Sequence, residues 1–326
     1  MEIALNFFGD HHAPLKLYAR QLGVTKAVCT VPFTTKQSSY IESTHPLALH
    51  AQIREMGQYG MDIAVLEGIK FIDAAKLGTE GCEKAIDDFC TLLKNMAAVG
   101  IDTVCYNWMP VFGWFRTEAD VPVRGGALAT AFSADGLSNL PLTSAGKVTS
   151  ETLWKTLEYF LSRVVPVAER YKIKLALHPD DPPVGEIAGV QRILTSSDAM
   201  MKAIELVPSE YNGIAFCQGT FATMGCDVPG EIRRFADRIH FAHFRDVRGT
   251  ADTFVETFAD DGMTDMVEVI ASYYDIGYKG VIRPDHTPTF IGERNDNPGY
   301  GILGNLYAVG YLRGLMQAVE ARSKGI

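Results

Sequence analysis

The sequence predicts an α/β protein of the (β/α)8 TIM-barrel class. Two observations carry that expectation. Eight short apolar or β-branched runs recur along the chain, and amphipathic stretches at helical spacing lie between them. No segment is biased enough in composition to be a linker, so residues 1–326 are expected to form one domain. A doubly wound open sheet is the competing layout, and eight units over the whole chain favour the barrel.

The runs are IALNFF (3–8), KAVCTV (26–31), DIAVLE (62–67), DTVCYN (102–107), IKLALH (173–178), GIAFC (213–217), IHFAHF (239–244) and GVIRPD (280–285). Short, continuously apolar runs suit parallel strands buried on both faces. Helices are expected at 45–60, 82–100, 150–171, 263–277 and 300–322, with shorter links at 11–22 and 228–238. In the second, Ile86, Phe89, Cys90, Leu93 and Met96 fall on one face. Gly60, Gly100 and Gly277 follow three of these helices, where a left-handed terminal residue is wanted. Residues 112–149, rich in Gly, Ser, Thr and Ala, are the one irregular stretch, and are expected to form a lid or substrate loop above the barrel mouth.

Composition narrows the partners. Lys and Arg number 30 against 39 Asp and Glu, a net charge of −9, which disfavours nucleic acid or an anionic membrane as a main partner. A local basic pocket for a small acidic ligand is compatible with that balance. Six cysteines without a C-x-x-C pair make no disulfide scaffold. The opening MEIALNFFGD lacks a basic segment, and no run of ~18 apolar residues occurs, so neither a signal peptide nor a membrane span is expected and the cytoplasm is the expected location. Oligomeric state is open, with a homo-oligomer common among barrels of this kind.

In this fold the chemistry gathers at the C-terminal ends of the strands. Here those ends are Glu67, Asn107, His178, Cys217, His243 and Asp285, the last followed by His286. Two imidazoles, one thiolate and one carboxylate from His178, Cys217, His243 and Asp285 can bind a divalent transition metal. In HPDDPP (178–183), Asp180 or Asp181 is expected to orient a ligating imidazole or to cap the following segment. In RPDHTP the side chains of Asp285 and His286 diverge, which divides them between metal and substrate. Tyr300 opens the last helix just after the eighth run and can face the mouth. Gly299, Gly301 and Gly304 match G-x-G-x-x-G, but no strand immediately precedes them and too little chain follows for a dinucleotide site. Gly304, Gly310 and Gly314 are read instead as sites of close helix packing, and His11 and His12, which follow the first run, as surface, with a place at the mouth as the alternative.

The segments VCYNWMPVFGWFRT (104–117), LHPDDPP (177–183), FCQGT (216–220), HFRDV (243–247), TFVETFADDGMTDM (253–266), IRPDH (282–286) and NPGY (297–300) resemble the mannonate dehydratase family, in that family's order and over nearly the whole chain. The resemblance implies a barrel of the xylose isomerase-like kind and Mn²⁺-dependent dehydration of D-mannonate to 2-keto-3-deoxy-D-gluconate in hexuronate catabolism. It implies His178, Cys217, His243 and Asp285 as metal ligands, and His286 and Tyr300 as the acid/base pair. Fe²⁺, Co²⁺ or Zn²⁺ would also accept mixed N, O and S ligands. The chain departs from the family at Asn6, which precedes the aromatic pair Phe7–Phe8 where an Arg is usual, and at Ala259, where a His is usual. The reaction class is therefore firmer than the sugar acid.

Such a reaction removes the proton on C2 beside a carboxylate and expels the C3 hydroxyl. His286 and Tyr300 suit the two proton transfers, the phenol being expected to ionise more readily near a metal. Asn107, Arg116 and Arg245 are candidates to hold the substrate carboxylate or hydroxyls, with an ion pair to Asp246 or another rim acid as the alternative for Arg245. Two rival functions keep the barrel: a metal-dependent sugar isomerase or epimerase, which would lose no water, and a sugar-acid-binding protein without turnover.

Overall fold

The computed structural model describes residues 1–8, 13–31 and 44–325; Gly9, His11 and His12 lie outside them. The first third of the chain contains, among the described residues, β1 (Glu2–Phe7), α1 (Ala13–Gln21), β2 (Lys26–Thr30), α2 (Pro46–Gly57), β3 (Asp62–Glu67), α3 (Asp73–Leu77), α4 (Cys82–Val99) and β4 (Thr103–Asn107). Then come β5 (Glu118–Pro122), β6 (Leu128–Ser133), α5 (Ser150–Tyr171), β7 (Lys174–His178), β8 (Glu186–Ile187), β9 (Val190–Gln191) and α6 (Ser197–Glu205). The remainder is β10 (Asn212–Cys217), α7 (Gln218–Thr223), α8 (Val228–Phe235), β11 (Ile239–Phe244), β12 (Val247–Thr250), β13 (Thr253–Glu256), α9 (Met266–Asp275), β14 (Val281–Pro284) and α10 (Ile302–Ser323).

Eight of these strands close into a barrel in the ring order β1-β14-β11-β10-β7-β4-β3-β2. They are the eight runs expected from the sequence, each within two residues at either end. The paired barrel strands are parallel, and the pleat sorts their side chains by a period of two. Ala4, Val28, Val65, Cys105, Ala176, Ala215, Phe241 and Val281 fill the barrel interior, one residue from each strand. Their neighbours Leu5, Ala27, Leu66, Val104, Leu175, Ile214, Ala242 and Ile282 belong to the larger core shared with the helices.

Two residues further along each strand the pleat returns to the same inward face. The residues there are Asn6, Thr30, Glu67, Asn107, His178, Cys217, His243 and Arg283. All eight are polar or ionisable, so an apolar plug is followed by one polar layer at the C-terminal mouth. Cross-strand register then makes neighbours of Thr30 and Glu67, of Asn107 and His178, and of Cys217 and His243.

The stretch 112–149 is more ordered than its composition suggested. β5 and β6 lie within it and pair antiparallel in a four-stranded sheet of order β12-β13-β6-β5. Phe132 of β6 packs on Phe254 of β13, ring centroids 5.7 Å apart, and on Phe115 at 6.4 Å. The small residues of LATAFS hide the alternation that marks a strand, and β13, one of its two partner strands, lies more than a hundred residues away. The short helices α3, α6 and α7 also had no distinct sequence signal.

Of the three glycines expected to admit close packing, only Gly304 does so. A Cβ there would come within 2.3 Å of the Pro288 carbonyl oxygen, whereas nothing lies within 4 Å of one at Gly310 or Gly314. α10 thus presses on the segment that follows β14 and carries His286. Gly304→Ala is expected to destabilise the protein by about 1–3 kcal/mol, because the contact atom is backbone and yields only with the whole segment. A thermal melt checks this, and an unchanged Tm would show that the segment moves freely.

Candidate active site

A cavity of about 580 Å³ opens at the C-terminal mouth, and Glu67, Asn107, Trp114, His178, His243, Asp285, His286 and Tyr300 are among its lining residues. The ligand atoms of His178, Cys217 and His243 all lie within 4.8 Å of one another. Asp285 Oδ2 stands 3.8 Å from Cys217 Sγ and 3.6 Å from His243 Nδ1. The four residues named as metal ligands from the sequence therefore converge.

Burial would raise the Cys217 thiol, but the Arg245 guanidinium, with His178 and His243, more than reverses this and brings it down to about 5. Burial and Arg283 disfavour charge on His243, yet Glu67 and Asp285 outweigh them and hold its pKa well above the ordinary value. The surroundings of this imidazole therefore favour positive charge. Neither buried ring nitrogen of His243 has a hydrogen bond of good geometry, although Glu67 Oε1 approaches Nε2 to 3.2 Å. His178 is oriented through Nδ1, 2.7 Å from the Pro179 carbonyl, which leaves Nε2 with its lone pair. A thiolate, a lone-pair imidazole, an imidazole with unmet ring nitrogens and a carboxylate make a donor set that fits a divalent transition metal. A second trio, Glu67, Cys105 and His243, fits less well. Burial pushes the Cys105 thiol far up, and Glu67 is held by Arg283 at 2.9 and 3.1 Å.

His286 lies beside this cluster. Its Nδ1 is 3.0 Å from Glu256 Oε1 and 2.6 Å from Arg245 Nη1, and its ring centroid is 4.6 Å from that of Trp114. Tyr300 meets the His286 ring edge to face at 5.4 Å. Burial first, then Asp285, push the Tyr300 phenol up, whereas the lowering expected from the sequence concerns the phenol beside a bound metal. In the protein alone the dominant influence is loss of water around the phenolate.

Three expectations about charged partners need correction. Arg116 does not reach into the cavity; it binds Asp181 at 2.7 and 3.1 Å and Glu256 at 2.5 and 3.2 Å. Arg245 is fully buried and faces Asp181 at 2.8 Å, with Asp285 and Glu256 both at 3.4 Å. Its sequence neighbour Asp246 instead accepts hydrogen bonds from Val247 and Thr264. Neither Asp180 nor Asp181 is within reach of the orienting His178 nitrogen; Asp180 Oδ2 accepts from the Ile193 and Leu194 amides at 3.0 and 2.7 Å, the capping alternative. Asn107 does line the cavity, its Oδ1 taking hydrogen bonds from Lys76 Nζ and the Met109 amide.

Glu67, Arg283, Glu256, Lys76 and Trp114 received no role from the sequence. Glu67 and Arg283 were detectable, since they occupy the inward register that picked out His178 and Cys217. Glu256 stands in the family-like segment 253–266, but its contact with His286 was not legible, because β13 reaches that ring only through the folded sheet.

This is an enzyme of the (β/α)8-barrel class, with a cluster of metal-type ligands beside two candidate proton-transfer groups. The family described as D-mannonate dehydratase (UxuA) matches residues 1–145 and 142–325. Mannonate dehydratase 2 of Halalkalibacterium halodurans is 31% identical over 350 residues, covering 98% of this chain and all of the relative. The crystal structure of mannonate dehydratase from Streptococcus suis serotype 2 superposes with a TM-score of 0.90 at 30% identity, covering all of this chain and 95% of that one. The chain belongs to the D-mannonate dehydratase family. An L-ribulose 3-epimerase shares the barrel with a TM-score of 0.64 at 11% identity, a likeness of fold alone that gives the isomerase or epimerase reading little support.

Proposed function

We propose that this chain dehydrates D-mannonate, or a closely related sugar acid, to 2-keto-3-deoxy-D-gluconate. The observation that supports it best is the meeting of the His178–Cys217–His243–Asp285 cluster with His286 and Tyr300 at one cavity, which all of these but the buried Cys217 line. Those four residues would hold Mn²⁺, the ion the family resemblance implies, with Fe²⁺ or another divalent ion as the alternative. A bound cation supplies Lewis-acid stabilisation of the negative charge that develops on the substrate's carboxylate end.

The chain's own side chains carry the protons. His286 Nδ1 faces both Glu256 and Arg245, donating to the carboxylate when it carries the proton and accepting from the guanidinium when it does not, which leaves Nε2 as the ring atom for transfer. His286 and Tyr300 divide two tasks between them: removal of the C2 proton and protonation of the C3 hydroxyl as it leaves. The C2–H electron pair becomes the C2–C3 double bond, the C3–O bond breaks and water departs. The resulting enol takes a proton at C3 and becomes the 2-keto acid. Trp114 covers the His286 ring and limits water at the reacting carbons.

Arg116 and Arg245 act behind the site rather than on the substrate. Their ion pairs with Asp181 and Glu256 brace the His286 ring from below. All six cysteines are free, which fits a reducing cytoplasm. Among the described residues no helix is long and apolar enough to cross a membrane.

Incubating the Mn²⁺-loaded protein with D-mannonate and a panel of other aldonic acids and keto sugars tests the reading. A 2-keto-3-deoxy acid is expected from mannonate, followed by NMR, and is expected to disappear on chelation. Turnover of another panel member with none of mannonate would overturn the substrate, and an isomerised product would overturn the reaction.

A further inference from the structure

The cavity has a second polar wall that takes no part in the proton transfers. The first turn of α3 carries Asp73 and Lys76, and both line the cavity together with Asn107. The Lys76 side chain is 3% exposed. Its Nζ is 2.9 Å from Asp73 Oδ1, 3.1 Å from Asn107 Oδ1 and 3.5 Å from the Met109 carbonyl. An ammonium is seldom buried unless it is paired, and this one is paired at the edge of a ligand-sized space.

Topology places the wall. β4, which ends in Asn107, is four places from β14 around the closed ring of eight, so Asn107 stands across the mouth from His286 and Tyr300. A sugar acid with its carboxylate at the ligand cluster and its C2–C3 bond at His286 has a polyol tail still to place. A hydroxyl both donates and accepts, and the Lys76 ammonium beside the Asp73 carboxylate and Asn107 amide offers both kinds of partner at adjacent points.

We propose that Lys76, Asp73 and Asn107 form the subsite for the substrate's terminal hydroxyls, and that Lys76 and Asp73 set the enzyme's preference for a six-carbon chain. The proposal rests on the dehydratase reading above. It makes Lys76 and Asp73 specificity-determining residues, distinct from the metal-type cluster and from the proton-transfer pair.

The test compares Lys76→Met and Asp73→Asn with wild type on two substrates: D-mannonate, and the five-carbon aldonate of the same configuration at C2, C3 and C4. Turnover gives kcat/KM, and competitive inhibition replaces it where the shorter acid is not turned over. Each variant is expected to lose about tenfold or more on D-mannonate, chiefly in KM, and less than about twofold on the shorter acid. The preference for six carbons then collapses. An equal loss on both acids would overturn the proposal and leave Lys76 a prop for Asn107, and no loss on either would overturn it as well. Asp73 is half-exposed on a helix surface, so Asp73→Asn keeps the test decisive where Lys76→Met fails to fold. Failure of the wild-type enzyme to dehydrate D-mannonate is a different result, which strikes the dehydratase reading itself before any variant is made.

Discussion

Cys217→Ser is expected to lower metal affinity by roughly a hundredfold or more, a larger loss than the 10–100-fold typical of residues one shell further out. Activity falls with it. Serine nearly matches the shape of cysteine but does not ionise near neutral pH. The site is built for an ionised sulfur: Arg245 and the two imidazoles bring the thiol down to about 5 despite complete burial. Thr220 Oγ1 donates to Sγ at 3.2 Å, a contact that stabilises the thiolate further. Metal per chain after equilibrium dialysis is the primary readout. With Co²⁺ as a probe, loss of the sulfur-to-metal charge-transfer band in the variant reports on the ligand itself. A variant that retains wild-type metal content and that band would show Cys217 to be an ordinary buried cysteine.

The second large effect falls on kcat alone. His286→Asn is expected to reduce kcat by about 10²- to 10⁴-fold, the range for loss of a general acid or base. Metal content is expected to stay at the wild-type level, because His286 is outside the four-residue ligand cluster. Asparagine roughly fills the place of the imidazole near Nδ1 and can still meet Glu256 and Arg245, so the buried ion-pair network survives. That separation of metal binding from turnover distinguishes a proton-transfer role from a ligand role. Near-normal turnover would remove His286 from the mechanism, and a fall in metal content would make it a ligand.

Arg116 and Arg245 owe their roles to partners far away in the chain. Each follows a strand end and has the right chemistry to grip a substrate carboxylate. Their partners are Asp181, 65 and 64 residues away, and Glu256, which is 140 residues from Arg116. A charge next to an apolar run says nothing about which opposite charge the fold brings to it. The same holds for Asp180, whose acceptors sit near His178 in sequence yet serve the Ile193 and Leu194 amides. Gly310 and Gly314 likewise lie in the same helix as Gly304, but only the packed segment at Pro288 separates a glycine that is required from two that are not.

What the sequence determined on its own was local and periodic. Hydrophobic runs marked eight strands because parallel strands buried on both faces must be apolar along their length. The polar residues closing those runs marked the site because the pleat repeats every second residue. His178, two places past Ala176, has to share its face of the sheet. What only the tertiary structure decided was the set of relations between distant segments: the ring order that sets Lys76 and Asn107 opposite His286, the pairing of β6 with β13, and the ion pairs behind the imidazole. The physical reason is that strand and helix patterns follow from forces between near neighbours in the chain. Charge pairing and sheet closure depend on distances that exist only after the chain has folded.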